Sequence, residues 1–260
     1  MLLRLTLIIM LVIGLLTGLY LVSRQTNLFS RADISTAPQE VKISNISDNS
    51  FTVSWLTGKP TTGFIKYGSP ALEETAQDDR DLGSQEFRVT HHVTIKNLEP
   101  GKTYYYQIFS GQEVFDDQGK PFTQTTAPTT ENPPAVPEPV FGTVNKKDNT
   151  KATEALVYLE INGGSLLSSY VRENGNWLIT LNNARIKDLS DYISVDEAGL
   201  MNLEVKAGGE AKINLSARVK EKEAFSKIVL PAEEEDKTLK DRNGDGVINA
   251  IDYILMLLKV

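Results

Sequence analysis

The chain has 260 residues, no cysteine, two histidines and a formal net charge of −7. That length exceeds a usual single core of about 100–150 residues, so about two domains are expected. Without cysteine there are no disulfide staples, thiolate zinc sites or cysteine nucleophiles; the two histidines are neighbours, His91 and His92, so neither a serine–histidine–aspartate triad nor a histidine-built metal site is expected, and the mild acidity argues against nucleic acid as a partner.

Nineteen uncharged residues, Leu5 to Ser23, lie between Arg4 and Arg24. As a helix they reach about 28 Å, close to the hydrocarbon thickness of a bilayer. The stretch is longer than a signal-peptide apolar region, which favours a retained anchor within residues 1–35; Ser30 and Ala32 offer a small-x-small pattern, so removal and a secreted product stay open. Arg4 opposes Arg24 and Arg31, and the positive-inside count does not set the orientation.

Residues 36–126 change to short alternating runs. Phe51, Val53 and Trp55 alternate with Thr52, Ser54 and Leu56; Ile65 and Tyr67, Val93 and Ile95, then Tyr104, Tyr106 and Ile108 follow. Period two predicts strands with one buried face, and breakers such as Gly58-Lys59-Pro60 and Pro100-Gly101 space them as in a seven-strand sandwich. His91 and His92 then fall on opposite faces and cannot share one ion. In Leu98-Glu99-Pro100-Gly101-Lys102-Thr103-Tyr104 a turn leads a tyrosine into a strand, the pattern of a tyrosine corner whose hydroxyl ties back to upstream backbone. Tyr105 and Phe109, out of phase with the core face, are expected at a domain contact or sheet edge, with a binding patch as the alternative.

These features resemble a fibronectin type III domain. More narrowly, HHVTIKNLEPGKTYYYQI and VSWLT…FIKYG are similar to the sandwich that precedes the catalytic domain of purple acid phosphatases. A binuclear phosphatase centre needs a set of aspartate, asparagine, histidine and tyrosine ligands for two hard cations. Two adjacent histidines do not supply it, and the expectation is an accessory sandwich without catalysis.

Residues 127–139 belong to a stretch, Thr125 to Pro139, holding five of the eleven prolines, which reads as a semi-rigid spacer. A second sandwich is predicted over residues 140–218, from alternation at Val157, Leu159 and Ile161, at Trp177, Ile179 and Leu181, and at Leu203 and Val205. Asn174-Gly175 is a hairpin signal between two of its runs. FGTVNKKDNTKATEALVYLEI and SSYVRENGNWLITL resemble the carboxypeptidase regulatory-like, or prealbumin-like, sandwich: a G-x-V strand, an A-x-V strand, then an N-G-x-W turn and strand. Residues 219–236, charge-dense with four consecutive acids from Glu233 to Asp236, read as a solvated linker.

Within residues 237–260, Asp241, Asn243, Asp245, Asn249 and Asp252 occupy positions 1, 3, 5, 9 and 12 of a loop with Gly246 at position 6, and Val247 at position 7 offers its carbonyl. Oxygen ligands around a turn-forming glycine are what Ca²⁺ requires. The pattern, followed by a helix and ending in aspartate, resembles one dockerin type I repeat; dockerins carry two, which implies cohesin docking only with a second half. Ile251, Ile254, Leu255 and Leu258 follow at helical spacing, but Tyr253, Met256, Leu257 and Val260 make the segment apolar all round, so it needs a host: a sandwich of this chain, a second copy, or a partner protein.

The expectation is thus a mainly β chain: an N-terminal transmembrane helix, two β-sandwiches joined by a Pro-rich linker, and a C-terminal calcium loop and helix. The function expected is non-enzymatic, adhesive or scaffolding, at the cell surface or secreted, with the bulk extracytoplasmic, where calcium is abundant. The alternatives are an accessory component of a polysaccharide-degrading assembly, docking through the tail or binding polysaccharide, and a carboxylate-dependent hydrolase.

Overall fold

The computed structural model describes residues 36–231, apart from 133, 135 and 209–210. Among the described residues the chain is mainly β, and no helix is long and apolar enough to cross a membrane. The expected anchor, residues 5–23, and the calcium loop, residues 241–252, lie outside the described residues.

The first sandwich comprises β1 (Gln39–Ser44), β2 (Phe51–Thr61), β3 (Gly63–Gly68), β4 (Glu74–Gln77), β5 (Arg88–Ile95), β6 (Thr103–Ser110), β7 (Glu113–Phe115) and β8 (Phe122–Thr125). One sheet has the order β1-β2-β5; the other has the order β4-β3-β6-β7, with β8 also paired to β6. Phe51, Val53, Trp55, Ile65, Val93 and Ile108 are sealed between the two sheets. The tyrosine corner forms as expected: the backbone N–H of Glu99 donates to the Tyr104 hydroxyl at 2.9 Å.

The second sandwich comprises β9 (Pro139–Asn145), β10 (Leu156–Ile161), β11 (Leu167–Tyr170), β12 (Asn176–Thr180), β13 (Leu200–Lys206), β14 (Lys212–Arg218) and β15 (Lys227–Val229). Its sheets have the orders β11-β10-β13-β14 and β12-β9-β15, and β15 runs parallel to β9. Val144, Val157, Leu159, Trp177 and Leu203 share one core.

Two local expectations change. Residues 219–230 are not a solvated linker: Val219–Phe225 forms a 3₁₀ segment and β15 follows, with Phe225, Ile228 and Leu230 buried. The alternating apolar residues after the charge run complete the sheet edge, and charge density masked them. Room for this return is made by Gly142, where a Cβ would meet the Phe225 carbonyl oxygen at 2.2 Å. Asn174-Gly175 does turn the chain, with the Gly175 N–H donating to the Arg172 carbonyl at 2.8 Å and Gly175 at φ 85°. The strands it joins, β11 and β12, belong to opposite sheets, so the turn is a corner between sheets and not a hairpin.

The larger departure is in the expectation of one buried face per strand. In β2 all seven residues from Phe51 to Thr57 are buried, and in β10 Leu156 and Tyr158 are as buried as Val157 and Leu159. The β1-β2-β5 sheet lies against the β11-β10-β13 side of the second sandwich, so the outward residues of one unit are covered by those of the other. Leu56, Leu156 and Tyr158, with Leu166 and Tyr170 beside them, form a separate apolar cluster across this junction.

Candidate functional site

Among the described residues, buried polar chemistry concentrates at the seam between the sandwiches. β5 carries Thr90, His92 and Thr94 outward, while His91 points into the core and stacks on Trp55 at 4.7 Å between centroids. The two histidines thus take one face each, as expected.

His92 bridges the units. Its Nδ1 lies 2.8 Å from Asp79 Oδ2 and its Nε2 lies 2.9 Å from Ser168 Oγ on β11. A carboxylate only accepts, so Nδ1–H donates to Asp79, which in the neutral imidazole leaves Nε2 as the acceptor for the Ser168 hydroxyl. Asp79 also accepts from the Thr94 hydroxyl at 2.6 Å. A serine–histidine–aspartate chain is therefore assembled here, although the sequence argued against a triad. Its geometry is closed to chemistry. Ser168 is 8% exposed, its Oγ also meets Ser44 Oγ at 2.6 Å and Asn45 Nδ2 at 3.0 Å, and its backbone N–H, a natural oxyanion donor, is taken by Asn45 Oδ1 at 2.9 Å. The serine has neither free space nor a free donor for a tetrahedral intermediate.

The seam continues on both sides of His92. Ser54 Oγ meets the Tyr158 hydroxyl at 2.9 Å, and burial pushes that phenol up to about 12. Lys42 pairs with Glu204 and lies over the Tyr158 ring, 4.1 Å from its centroid, while Lys206 pairs with Glu40. At the other end the Thr90 hydroxyl donates to the Glu154 carbonyl at 2.6 Å, and Arg88 pairs with the Glu154 carboxylate.

Behind these contacts Arg80 grips Asp78 through Nε at 2.7 Å and Nη2 at 2.8 Å. Burial pushes the Asp78 carboxyl up, but the Arg80 guanidinium and the backbone N–H groups of His92 and Arg80 outweigh it and hold it below the usual range. His91 has no such donor or acceptor, and burial lowers it to about 4 despite the nearby Asp78.

A cleft of about 850 Å³ opens at the edge of the junction, lined by Asp79, Arg80, Arg88, Glu154, Tyr170 and Arg172, with Leu82 fully exposed on its rim. Its guanidiniums at Arg80 and Arg88 are committed to carboxylates. Tyr105 and Phe109 sit neither at the junction nor at a sheet edge. They project from β6, inside its sheet, where Phe109 stacks on Phe64 at 4.6 Å.

No group of three or more histidines, aspartates or glutamates that could hold a metal ion occurs among the described residues. The expected calcium ligands Asp241, Asn243, Asp245, Val247, Asn249 and Asp252 lie outside them. Sequence reasoning missed the seam because Ser168 and His92 are 76 residues apart and belong to different units. The only signal available was the run of small polar outward residues, Thr52, Ser54, Thr90 and Thr94, which reads equally well as a solvent face.

Comparison with known proteins gives a family match for part of the chain. Residues 38–130 match the family model of the purple acid phosphatase N-terminal domain. No curated protein matches the chain. Among solved structures, the FN1–FN3 domains of chicken CNTN1 are 15% identical with a TM-score of 0.26, over 69% of this chain and 63% of that one. The central fibronectin-III array of RIM-binding protein is 14% identical with a TM-score of 0.26, over 72% of this chain and 65% of that one. The chain thus covers less than two thirds of either matched chain. Strand order and family match agree for the first unit: it is a fibronectin type III-like sandwich, similar to the N-terminal, non-catalytic domain of purple acid phosphatases.

Proposed function

We propose that this chain is a non-enzymatic scaffold of the cell surface, in which two sandwiches locked into one arm carry a calcium-binding tail away from a membrane anchor. The observation that carries this reading is the buried seam. Ser54, Leu56, Thr90 and His92 are spent on joining the units, which is what a stiff spacer needs and a flexible string of beads does not. Closure of the Ser168–His92–Asp79 chain supports the non-enzymatic part.

In this reading residues 5–23 are the anchor and the bulk is extracytoplasmic. The second unit is the prealbumin-like sandwich. Its motif residues support this: Val144 of G-x-V, Val157 of A-x-V and Trp177 of N-G-x-W meet in one core. Asp241, Asn243, Asp245, Val247, Asn249 and Asp252 hold Ca²⁺ as a single dockerin-like loop. A lone loop of this kind fills at roughly 10⁻⁷–10⁻³ M, the range of sensors and extracellular modules.

Calorimetric titration of residues 25–260 with calcium tests the tail. The wild type is expected to give one site's heat and a raised melting temperature, and Asp245→Ala to lose both. A wild type with neither heat nor shift overturns the calcium site.

A further inference from the structure

The outer face of the β12-β9-β15 sheet exposes three apolar side chains among Thr143, Asn176 and Lys227. Phe141 on β9 and Leu178 on β12 are direct cross-strand partners, 55% and 50% exposed, and Val229 on β15 is 44% exposed. Beside them a groove of about 400 Å³ is lined by Phe141, Gly142, Thr143, Asn176, Trp177 and Leu178. The Trp177 indole N–H is buried and has no acceptor among the described residues. From Phe141 to the level of Val229, which pairs with Asn145, is four residues along β9, roughly 13 Å at ~3.3 Å per residue.

The chain leaves the described structure from this same sheet. Leu230 still donates to the Asn145 carbonyl at 2.9 Å, and Pro231 is the last described residue. Nineteen positions beyond Pro231 begins Ala250–Val260, the segment that is apolar all round. As a helix its eleven residues reach about 16 Å, enough to cover the roughly 13 Å from Phe141 to the level of Val229. The intervening residues 232–249 span up to about 60 Å when extended, far more than the return requires.

We infer that Ala250–Val260 docks on the outer face of β12-β9-β15, over Phe141, Leu178 and Val229 of its own chain. Tethering chooses this occupant. A tether of this length presents the segment to its own sheet at an effective concentration of order millimolar, well above that of a second copy at micromolar chain concentration. Lys227 lies on the outward face between the apolar ends. The inference rests on the apolar pattern of the tail and does not require the calcium loop to be filled.

The absence of native cysteine allows a direct test. The full-length chain carrying Leu178→Cys and Leu255→Cys, solubilised in detergent with calcium present, is mildly oxidised and run on a non-reducing gel. A fast-migrating monomer linked within the chain is expected. The control pair Val114→Cys and Leu255→Cys, with Val114 on the other sandwich, is expected to stay unlinked. A Leu178–Leu255 link that appears only between two chains overturns the proposal in favour of a second copy. No link, or equal linking by the control pair, overturns it as well. If the link fails while calorimetry still shows calcium heat, docking alone is wrong and the metal reading stands.

Discussion

His92 on β5 of the first sandwich and Ser168 on β11 of the second are joined by a hydrogen bond of 2.9 Å, with Asp79 holding the far nitrogen of the imidazole. The bond makes one histidine a bolt between two folds. His92→Ala removes two buried hydrogen bonds and leaves Asp79 and Ser168 short of a partner, so a loss of about 2–3 kcal/mol is expected in urea unfolding of residues 36–231. Ser168→Ala should cost about 1–2 kcal/mol: Asn45 keeps the Thr52 hydroxyl and the Ser168 carbonyl, while Ser44 and the His92 Nε2 lose the serine hydroxyl. Neither change should alter reaction with a serine-directed fluorophosphonate probe, because the wild type is expected to give none. Labelling of Ser168 in the wild type would contradict the closed geometry.

The pH dependence follows from His91. Its folded value of about 4 lies below the usual 6.5, so the unfolded chain takes up a proton first as pH falls. Stability is therefore complete above pH 6.5 and falls toward pH 4 by about 1.4 kcal/mol per unit, roughly 3 kcal/mol in all. Asp78, held low, adds a further loss only below the ordinary carboxylate range. His91→Phe, which keeps a ring on Trp55, is expected to flatten the curve between pH 6.5 and 4. Chemical denaturation at a series of pH values measures it, and an unchanged slope in the variant would remove His91 as the cause.

The apolar part of the junction is small and central. Leu156 is fully buried, but it faces Leu56 and Tyr158, not its own core. Leu156→Asp places an unpaired charge there and should uncouple the sandwiches while leaving both cores filled. Two thermal transitions in place of one are expected. A single transition at the wild-type temperature would mean that the cluster does not couple the units.

Gly142→Ala puts a Cβ within 2.2 Å of the Phe225 carbonyl oxygen. Backbone cannot yield as a side-chain tip does, so β15 must shift, and a loss of about 2–4 kcal/mol confined to the second sandwich is expected. Hydrogen exchange at Thr143, whose N–H donates to the Ser226 carbonyl at 2.9 Å at the start of β15, reads the release. Unchanged protection there would show that β15 is not held by this approach.

Much of the fold was legible because alternation marks a core. Phe51, Val53 and Trp55, and the Leu98–Tyr104 corner, stand where the pattern puts them. The opposite faces were not legible. Thr52, Ser54, Thr90 and His92 have the composition of a surface, and junctions between units resemble surfaces in polarity, so nothing local distinguishes a residue facing water from one facing another domain. β15 was hidden for a related reason. Three residues pairing with a strand more than eighty positions earlier leave no periodic signal beside a run of charge. Asn45, left-handed at φ 51°, reads as a turn residue, yet its amide meets both the N–H and the carbonyl of Ser168.

The central claim is that the two sandwiches unfold as one body. Differential scanning calorimetry of residues 36–231 tests it most directly. A single transition is predicted, with calorimetric and van't Hoff enthalpies equal. Two separate transitions in the wild type, each matching one sandwich expressed alone, would contradict it.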